Sequence, residues 1–493
     1  MWVWQSPKAK EWGLELRGPI VVYRTQRGKG VMDRIGSHRK FCRILATFSN
    51  FVAIILMAVM ILIMAVAIKG IPLRIKGGTG TALFTGFSLN YTEFLIFGVL
   101  ALIVAMIIHE FAHGIQSRAN DVRVEASGLM YAVVPLGAFV EMNEEDSNNA
   151  TLKEKMSIYS AGISINFIVA AISFVLLAML MLAPLSNTDG VNDDSVGLYS
   201  VSDGSPAYLA GLSPGSVIIS IDGEEVYIES GITNQIFQNG NVLGGKKYTV
   251  EYLTPEGSVT ESIWLGVYVE SVVKENPAEL YGLPKNSLLI EIDGVPITGP
   301  DSFSDFLAST SPNQEVEVRY VDVASESEGT VDIKLGSNGD IGFMGVRTSY
   351  SGMILTTPGF ILGKASNPIY GETAAYGMLH SALQYPFLSM EGFSPVPDVF
   401  HWWFDAPGGN VFWMFGAMIY WMFWVNLLLG ITNALPLIPF DGGYLFRGWV
   451  TQLLEKMRYK TEEIREKVAK NISSAVSGFM AFLLILIVFA VVF

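Results

Sequence analysis

The chain has 493 residues, 51 % of them hydrophobic and only 16 % charged, where a soluble average is about 25 % charged; its mean hydropathy is +0.40. A net charge of −14 excludes a nucleic-acid-binding surface, because neutralising phosphates needs Lys and Arg. The single cysteine, Cys42, excludes a disulfide framework, and so much apolar and aromatic content excludes a disordered chain.

Residues 1–43 hold ten Lys and Arg. Beyond them lie five uncharged stretches long enough to cross a hydrocarbon core, which takes about 20 residues. They are 44–68, a stretch beginning at Phe94, one within 156–188, one within 406–440, and 471–493. A sixth stretch, 373–390, is rich in Gly, Ser, Thr and Gln and suits an interfacial segment. The first starts too late and runs too long for a cleaved signal peptide. Lys and Arg mark cytoplasmic loops. They predict a cytoplasmic N-terminus, a cytoplasmic loop around Arg118, Arg123, Lys153 and Lys155, and a cytoplasmic stretch from Arg447 to Lys470. Residues 186–350 carry 25 acidic and 7 basic side chains, whereas the rest of the chain has a net charge of +4. One acidic, water-soluble block is therefore expected outside the membrane, inserted into a membrane-embedded frame.

The acidic block repeats itself. Residues 205–226 (SPAYLAGLSPGSVIISIDGEEV) align without a gap on 276–297 (NPAELYGLPKNSLLIEIDGVPI). Each unit reads as a short helix, a Gly-Leu stop, a β-rich run and an Asp-Gly turn. Two copies are too few for a solenoid and predict two tandem globular modules. The run resembles the PDZ domains of membrane and periplasmic proteases. That resemblance implies modules that bind a peptide end along a sheet edge, with binding strands starting near Gly197-Leu198-Tyr199 and Gly266-Val267-Tyr268. A purely space-filling role is the alternative.

The second apolar stretch ends in His109-Glu110-Phe111-Ala112-His113. On a helix the two histidines share a face. There they can grip one zinc ion while Glu110 activates its bound water. Ionisable groups at membrane depth are costly and functional by default. A hydrolytic zinc site needs a third protein ligand. The fourth stretch ends Asn433-Ala-Leu-Pro-Leu-Ile-Pro-Phe-Asp441-Gly442-Gly443, where a carboxylate needs a cation to offset its burial. Pro436 and Pro439 break the helix, and broken backbone at membrane depth must line a cavity or lie inside protein.

Together these motifs resemble the site-2 proteases, intramembrane zinc metalloproteases. HEFAH at 109–113 matches the family's HExxH, and Asn433 to Asp441 matches its NxxPxxxxDG. Residues 131–140 resemble its membrane-associated β-segment. Ala161-Gly-Ile-Ser-Ile-Asn166 resembles its AGPxxN, with Ile163 in place of proline. The resemblance implies one Zn2+ held by His109, His113 and Asp441, Glu110 as general base and acid, and substrate contacts from Asn433 and, more weakly, Asn166. The alternative for Asn433 is helix capping or packing, and for Asn166 a helix–helix hydrogen bond. His38, His380 and His401 are poor candidates for the site.

The expected fold is a polytopic α-helical membrane protein of five to six transmembrane helices with an inserted pair of α+β PDZ-like domains. Its expected parts are an N-terminal cytoplasmic segment (1–43), a first membrane core (44–185), two modules (190–264 and 265–348), an interfacial connector (349–405) and a second membrane core (406–493). The expected activity is cleavage of transmembrane segments of single-span membrane proteins in the cell membrane, after a prior cut outside it. The β-rich segment 128–141 is expected to supply an edge strand for an unwound substrate, and the modules to filter substrates by size or bind their new ends. Two other readings stand beside it: a membrane zinc protease of the Ste24/HtpX type, whose third ligand is a glutamate, and a non-catalytic scaffold tethering partners through its PDZ pair.

Overall fold

The computed structural model describes residues 13–17, 20–77, 94–131, 135–181, 185–227, 244–366 and 395–492. The sixth apolar stretch, 373–390, and His380 lie outside them. The chain divides into two compact units. One comprises Met1–Leu180, Pro368–Pro395 and Met414–Phe493, and the other Met181–Asn367 and Val396–Trp413.

The first unit opens with strands β1 (Leu14–Arg17) and β2 (Ile20–Thr25) and helices α1 (Lys29–Gly36) and α2 (Arg39–Gly77). A π-helical turn, Phe94–Gly98, leads into α3 (Val99–Ala119), followed by β3 (Val124–Tyr131) and β4 (Pro135–Met142). The β1–β2 hairpin is not separate from the membrane core. It pairs with β3 in an antiparallel sheet of order β1-β2-β3-β4, which leaves β4 at the edge. Gly128 permits the close approach of β2 and β3, since a Cβ there would lie 2.0 Å from the Tyr23 carbonyl oxygen. Helix α1 packs along α3. Met32 is fully buried against Gly114, where a Cβ would lie 2.5 Å from the methionine sulfur. The Asp33–Arg118 and Arg39–Asp121 ion pairs flank this contact. Exposed pairs contribute ~0–1 kcal/mol each, so burial of Met32 dominates.

Asn143 caps α4 (Glu144–Asn149) by accepting from the Asp146 N–H. Thr151 and Glu154 form a reciprocal capping box that starts α5 (Leu152–Met181). This helix runs unbroken through Ile163, which is fully buried.

The second unit is β-rich. It holds β5 (Ser186–Asn187), β6 (Val196–Val201), α6 (Pro206–Leu209), β7 (Val217–Ile221), β8 (Glu224–Glu225), β9 (Lys246–Thr254) and β10 (Gly257–Leu265). There follow β11 (Val267–Val272), α7 (Pro277–Leu280), β12 (Ser287–Ile292), β13 (Val295–Pro296), α8 (Pro300–Ala308), β14 (Glu315–Asp322) and β15 (Ser327–Lys334). Next come β16 (Gly336–Asn338), β17 (Ile341–Phe343), β18 (Val346–Tyr350), β19 (Met353–Thr356), α9 (Pro358–Ser366), a 3-10 turn (Asp398–Trp403) and β20 (Phe404–Asp405).

The sequence repeat is a repeat of structure. Asp222-Gly223 and Asp293-Gly294 turn with positive φ, and each Asp carboxylate accepts a backbone N–H, from Thr249 and Glu317 respectively. Ala207 in α6 and Ala278 in α7 are both fully buried. Two apolar cores result, one around Leu198, Ile218 and Tyr252 and one around Val269, Leu289 and Val318.

The strands expected to bind a peptide are not edges. In one sheet of order β10-β9-β7-β6-β19-β18-β11-β12-β14-β15, β6 lies between β7 and β19, and β11 between β12 and β18. Segment 346–356 supplies one neighbour of each, while β7 pairs with β6 only at Val196–Gly197 and β12 with β11 only at Val267–Val269, so the strands are covered on both sides where they start. Gly197 is covered further by the Trp403 ring, 2.3 Å from where its Cβ would be, and the Trp403 indole N–H donates to the Gly215 carbonyl.

Helices α10 (Asn410–Asn433), α11 (Asp441–Lys456) and α12 (Glu462–Val492) close the chain. Among the described residues five helices are long and apolar enough to cross a membrane: Arg39–Leu62, Ile96–Ala119, Leu152–Met181, Asn410–Asn433 and Glu462–Leu486. Ile44, Phe51, Met179 and Ile485 are each more than 60 % exposed, as lipid-facing side chains would be. Inside the first unit, Ala53 and Leu56 of α2, Met156 and Ile163 of α5, Ile431 of α10 and Leu445 of α11 share one core. This packing fixes α5, which backs the site, and α11, which carries Asp441.

Candidate active site

Helix α3 places His109 and His113 one turn apart, with Nε2 atoms 3.2 Å apart. Asp441 reaches them from a second origin. Helix α10 stops at Asn433, and the following turn is held by a hydrogen bond from the Ile438 N–H to Ser477 Oγ of α12, 3.1 Å long. The chain then doubles back so tightly that a Cβ at Gly442 would lie 2.4 Å from the Ala434 carbonyl oxygen. Asp441 therefore opens α11 with its Oδ2 3.1 Å from His109 Nε2 and 3.2 Å from His113 Nε2.

The residues fit a zinc ion. Tetrahedral bonds of about 2.0 Å set ligand atoms about 3.3 Å apart, and the three separations here are 3.1, 3.2 and 3.2 Å. Asp441 Oδ2 is buried and makes no well-formed hydrogen bond. The three atoms face one another, as lone pairs around a cation do. No other His, Cys, Asp and Glu cluster of this kind occurs among the described residues.

One face of α5 backs the site. His113 Nδ1 lies 2.7 Å from the Ile158 carbonyl; a carbonyl only accepts, so Nδ1 carries the proton and Nε2 is left bare. One turn on, Gly162 makes room, because a Cβ there would lie 2.4 Å from His113 Nε2 and 2.7 Å from His109 Nε2. One turn further, the Asn166 amide meets His109 Nδ1 at 3.2 Å. Asn166 is fully buried, and its contact here is helix to helix, through a histidine. The sequence reading did not identify Ile158 or Gly162. Their spacing of four and eight from Asn166 was the available signal, for it sets all three on one face.

Glu110 follows His109 on α3, and its carboxylate accepts the Val140 N–H of β4 at 3.1 Å. That donor, a backbone group, has no signature in sequence. Asn433 is half-buried, and its amide donates to the Leu429 carbonyl of its own helix at 3.1 Å. His401 stacks on Trp413 and bonds the Val396 carbonyl.

Residues 97–484 match the model of peptidase family M50. Among similar proteins, an uncharacterized protein of Methanocaldococcus jannaschii is 28 % identical over 34 % of this chain and 45 % of its own length. A putative zinc metalloprotease of Clostridium acetobutylicum is 27 % identical over 35 % of this chain and 56 % of its own. The match thus spans about half the length of those two relatives. The regulator of sigma-E protease RseP of Salmonella typhimurium is 24 % identical over 70 % of this chain and 88 % of its own. With its spanning helices, the protein is a multi-pass membrane protein, and with a family match across most of its length it belongs to peptidase family M50, the site-2 proteases.

Proposed function

We propose that the chain is a zinc-dependent endopeptidase that cuts transmembrane segments of single-span membrane proteins within the bilayer, after an earlier cut outside it. The observation that carries this is the convergence of His109, His113 and Asp441 at 3.1–3.2 Å beside Glu110. When bound by these three side chains, zinc would acidify a water molecule and polarise the scissile carbonyl. Glu110 takes the proton from that water and then delivers it to the leaving amine. The Val140 N–H holds the carboxylate in place for both transfers. Asn166 and the Ile158 carbonyl hold the two imidazoles with their Nε2 atoms inward, as outer-shell partners of metal ligands do. Asn433, at the end of α10, is the contact to the substrate backbone.

A transmembrane helix hides its carbonyls in hydrogen bonds and must unwind to be cut. Strand β4 can receive the unwound segment, since its outer edge is unpaired among the described residues and carries the N–H that meets Glu110. The two β-rich modules act as PDZ-like filters outside the membrane, with the N-terminus in the cytoplasm. Among the described residues, β18 and β19 pair with each other only at Tyr350–Met353, and the edges left beyond that pair would take a peptide end. A third ligand that is aspartate argues against the Ste24/HtpX reading. The test is metal analysis of the purified full chain together with cleavage of single-span substrates in liposomes. One zinc per chain and cleavage abolished in Glu110→Gln are expected; equal cleavage by Glu110→Gln would return the protein to the scaffold reading.

A further inference from the structure

Beside Glu110 the first unit holds a cavity that the chemistry above does not use. Its volume is about 160 Å³ and its wall is almost wholly apolar. Ile107 and Phe111 of α3 form one side. Leu129 of β3 and Ala138 and Val140 of β4 form the other, and Glu110 borders it. Small residues keep it open: Ala138 stands opposite Leu129 in the β3–β4 register, where a larger side chain would project into the space. Ala138 and Val140 lie on one face of β4, two residues apart.

We propose that this cavity receives one apolar side chain of the substrate, that of a residue flanking the scissile bond, and that Ala138 sets its size limit. This inference rests on the endopeptidase reading above. A peptide paired along the open edge of β4 turns alternate side chains to the same face of the sheet. The Val140 N–H ties that edge to Glu110, so the side chain that enters the cavity belongs to a residue next to the bond under attack. A volume of about 160 Å³ is several times the ~30 Å³ share of a water molecule and suits a leucine-, methionine- or phenylalanine-sized group. A charged group entering it would lose hydration against a wall that exposes mostly apolar surface, with Arg27, Thr25 and Ser127 as the polar residues at its border besides Glu110. Each methylene that fits or fails to fit such a pocket changes specificity by about 10–200-fold.

The test uses the full chain with zinc in liposomes and one single-span substrate. Gly, Ala, Leu, Phe and Asp are placed in turn at each of the three residues on either side of the cut, and cleavage is read by mass spectrometry. Wild-type protein is expected to favour Leu or Phe over Gly and Asp by at least about 10-fold at one flanking position. Ala138→Leu, which fills the cavity, should invert that order towards Gly and Ala at the same position, with zinc content retained. Leu129→Ala, which enlarges it, should raise the relative rate for Phe, and decides the matter should Ala138→Leu fail to fold. The inference is overturned by profiles in the folded variants that match wild type, by a wild-type protein indifferent to side-chain size at every position, or by a preference that follows lipid acyl-chain length instead of substrate residue. Loss of all cleavage in the wild-type protein, or cleavage unaffected by Glu110→Gln, would sink the endopeptidase reading itself, a result distinct from these.

Discussion

Replacing Gly162 by alanine should remove zinc without harming the helix that carries it. The added carbon would stand 2.4 Å from His113 Nε2 and 2.7 Å from His109 Nε2, whereas non-bonded heavy atoms sit comfortably at about 3.5 Å or more. Each imidazole would have to retreat by about 1 Å, and ligation tolerates only about 0.2 Å. Loss of a single outer-shell contact weakens metal binding ~10–100-fold. Displacing both nitrogens should exceed that, giving at least a ~100-fold loss, or about 2.8 kcal/mol at 1.4 kcal/mol per decade. Helix propensity pulls the other way, since alanine is better than glycine by about 1 kcal/mol in a helix interior. The expected result is therefore a chain of normal helix content that competes poorly with a chelator for zinc. Gly478→Ala, where the new Cβ meets nothing within 4 Å, is the matched control. Wild-type zinc affinity in Gly162→Ala would refute the claim that the imidazole nitrogens beside Gly162 are the metal's ligands.

Other outcomes follow from the same geometry. Asp441→Ala should lose zinc, whereas Glu110→Gln should keep it and lose cleavage; metal content and turnover measured on the same preparations separate the two roles. Asn166→Ala should weaken zinc binding ~10–100-fold, and Asn166→Asp, which offers an acceptor to the Nδ1–H that ligation through Nε2 requires of His109, should restore much of it. Equal affinity in both variants would reduce Asn166 to a packing residue. The segment between α3 and α5 carries a pH-sensitive contact, from Arg123 to Asp146 of α4. The Arg123 guanidinium hydrogen-bonded to Asp146 holds that carboxyl down to about 2, against about 3.9 when unfolded. A depressed carboxylate stabilises the fold above its unfolded value, and that contribution fades as pH falls from about 4 towards 2. Asp146→Asn should flatten the pH dependence of unfolding in that window, and an unchanged slope would count against the pair.

Much of the site is legible in the chain itself because its signals are local. The spacing of His109 and His113 is a helical turn, and a helix at that point is guaranteed by the apolar run before it. Asp441 shows as a carboxylate at the end of an uncharged stretch, after two prolines that stop a helix. The Asp-Gly turns at 222 and 293 repeat as sequence and as backbone. The assignment of strand edges was not legible. Gly197 and Gly266 begin good strands, yet which strand covers them depends on pairing with residues 346–356, more than 70 positions away, and no local pattern encodes that partner.

What the sequence determined alone is which side chains can do chemistry and which stretches must lie in lipid, because hydropathy, helical period and glycine or proline punctuation act within a few residues of their cause. What only the tertiary structure decided is who stands behind the chemistry: Gly162 as the space for two imidazoles, Asn166 and the Ile158 carbonyl as their holders, the Val140 N–H on Glu110, and the N-terminal hairpin as the sheet's first two strands. Those contacts join elements that meet only after packing, and they run largely through backbone atoms, which every residue carries alike and which therefore leave no mark in the order of the letters.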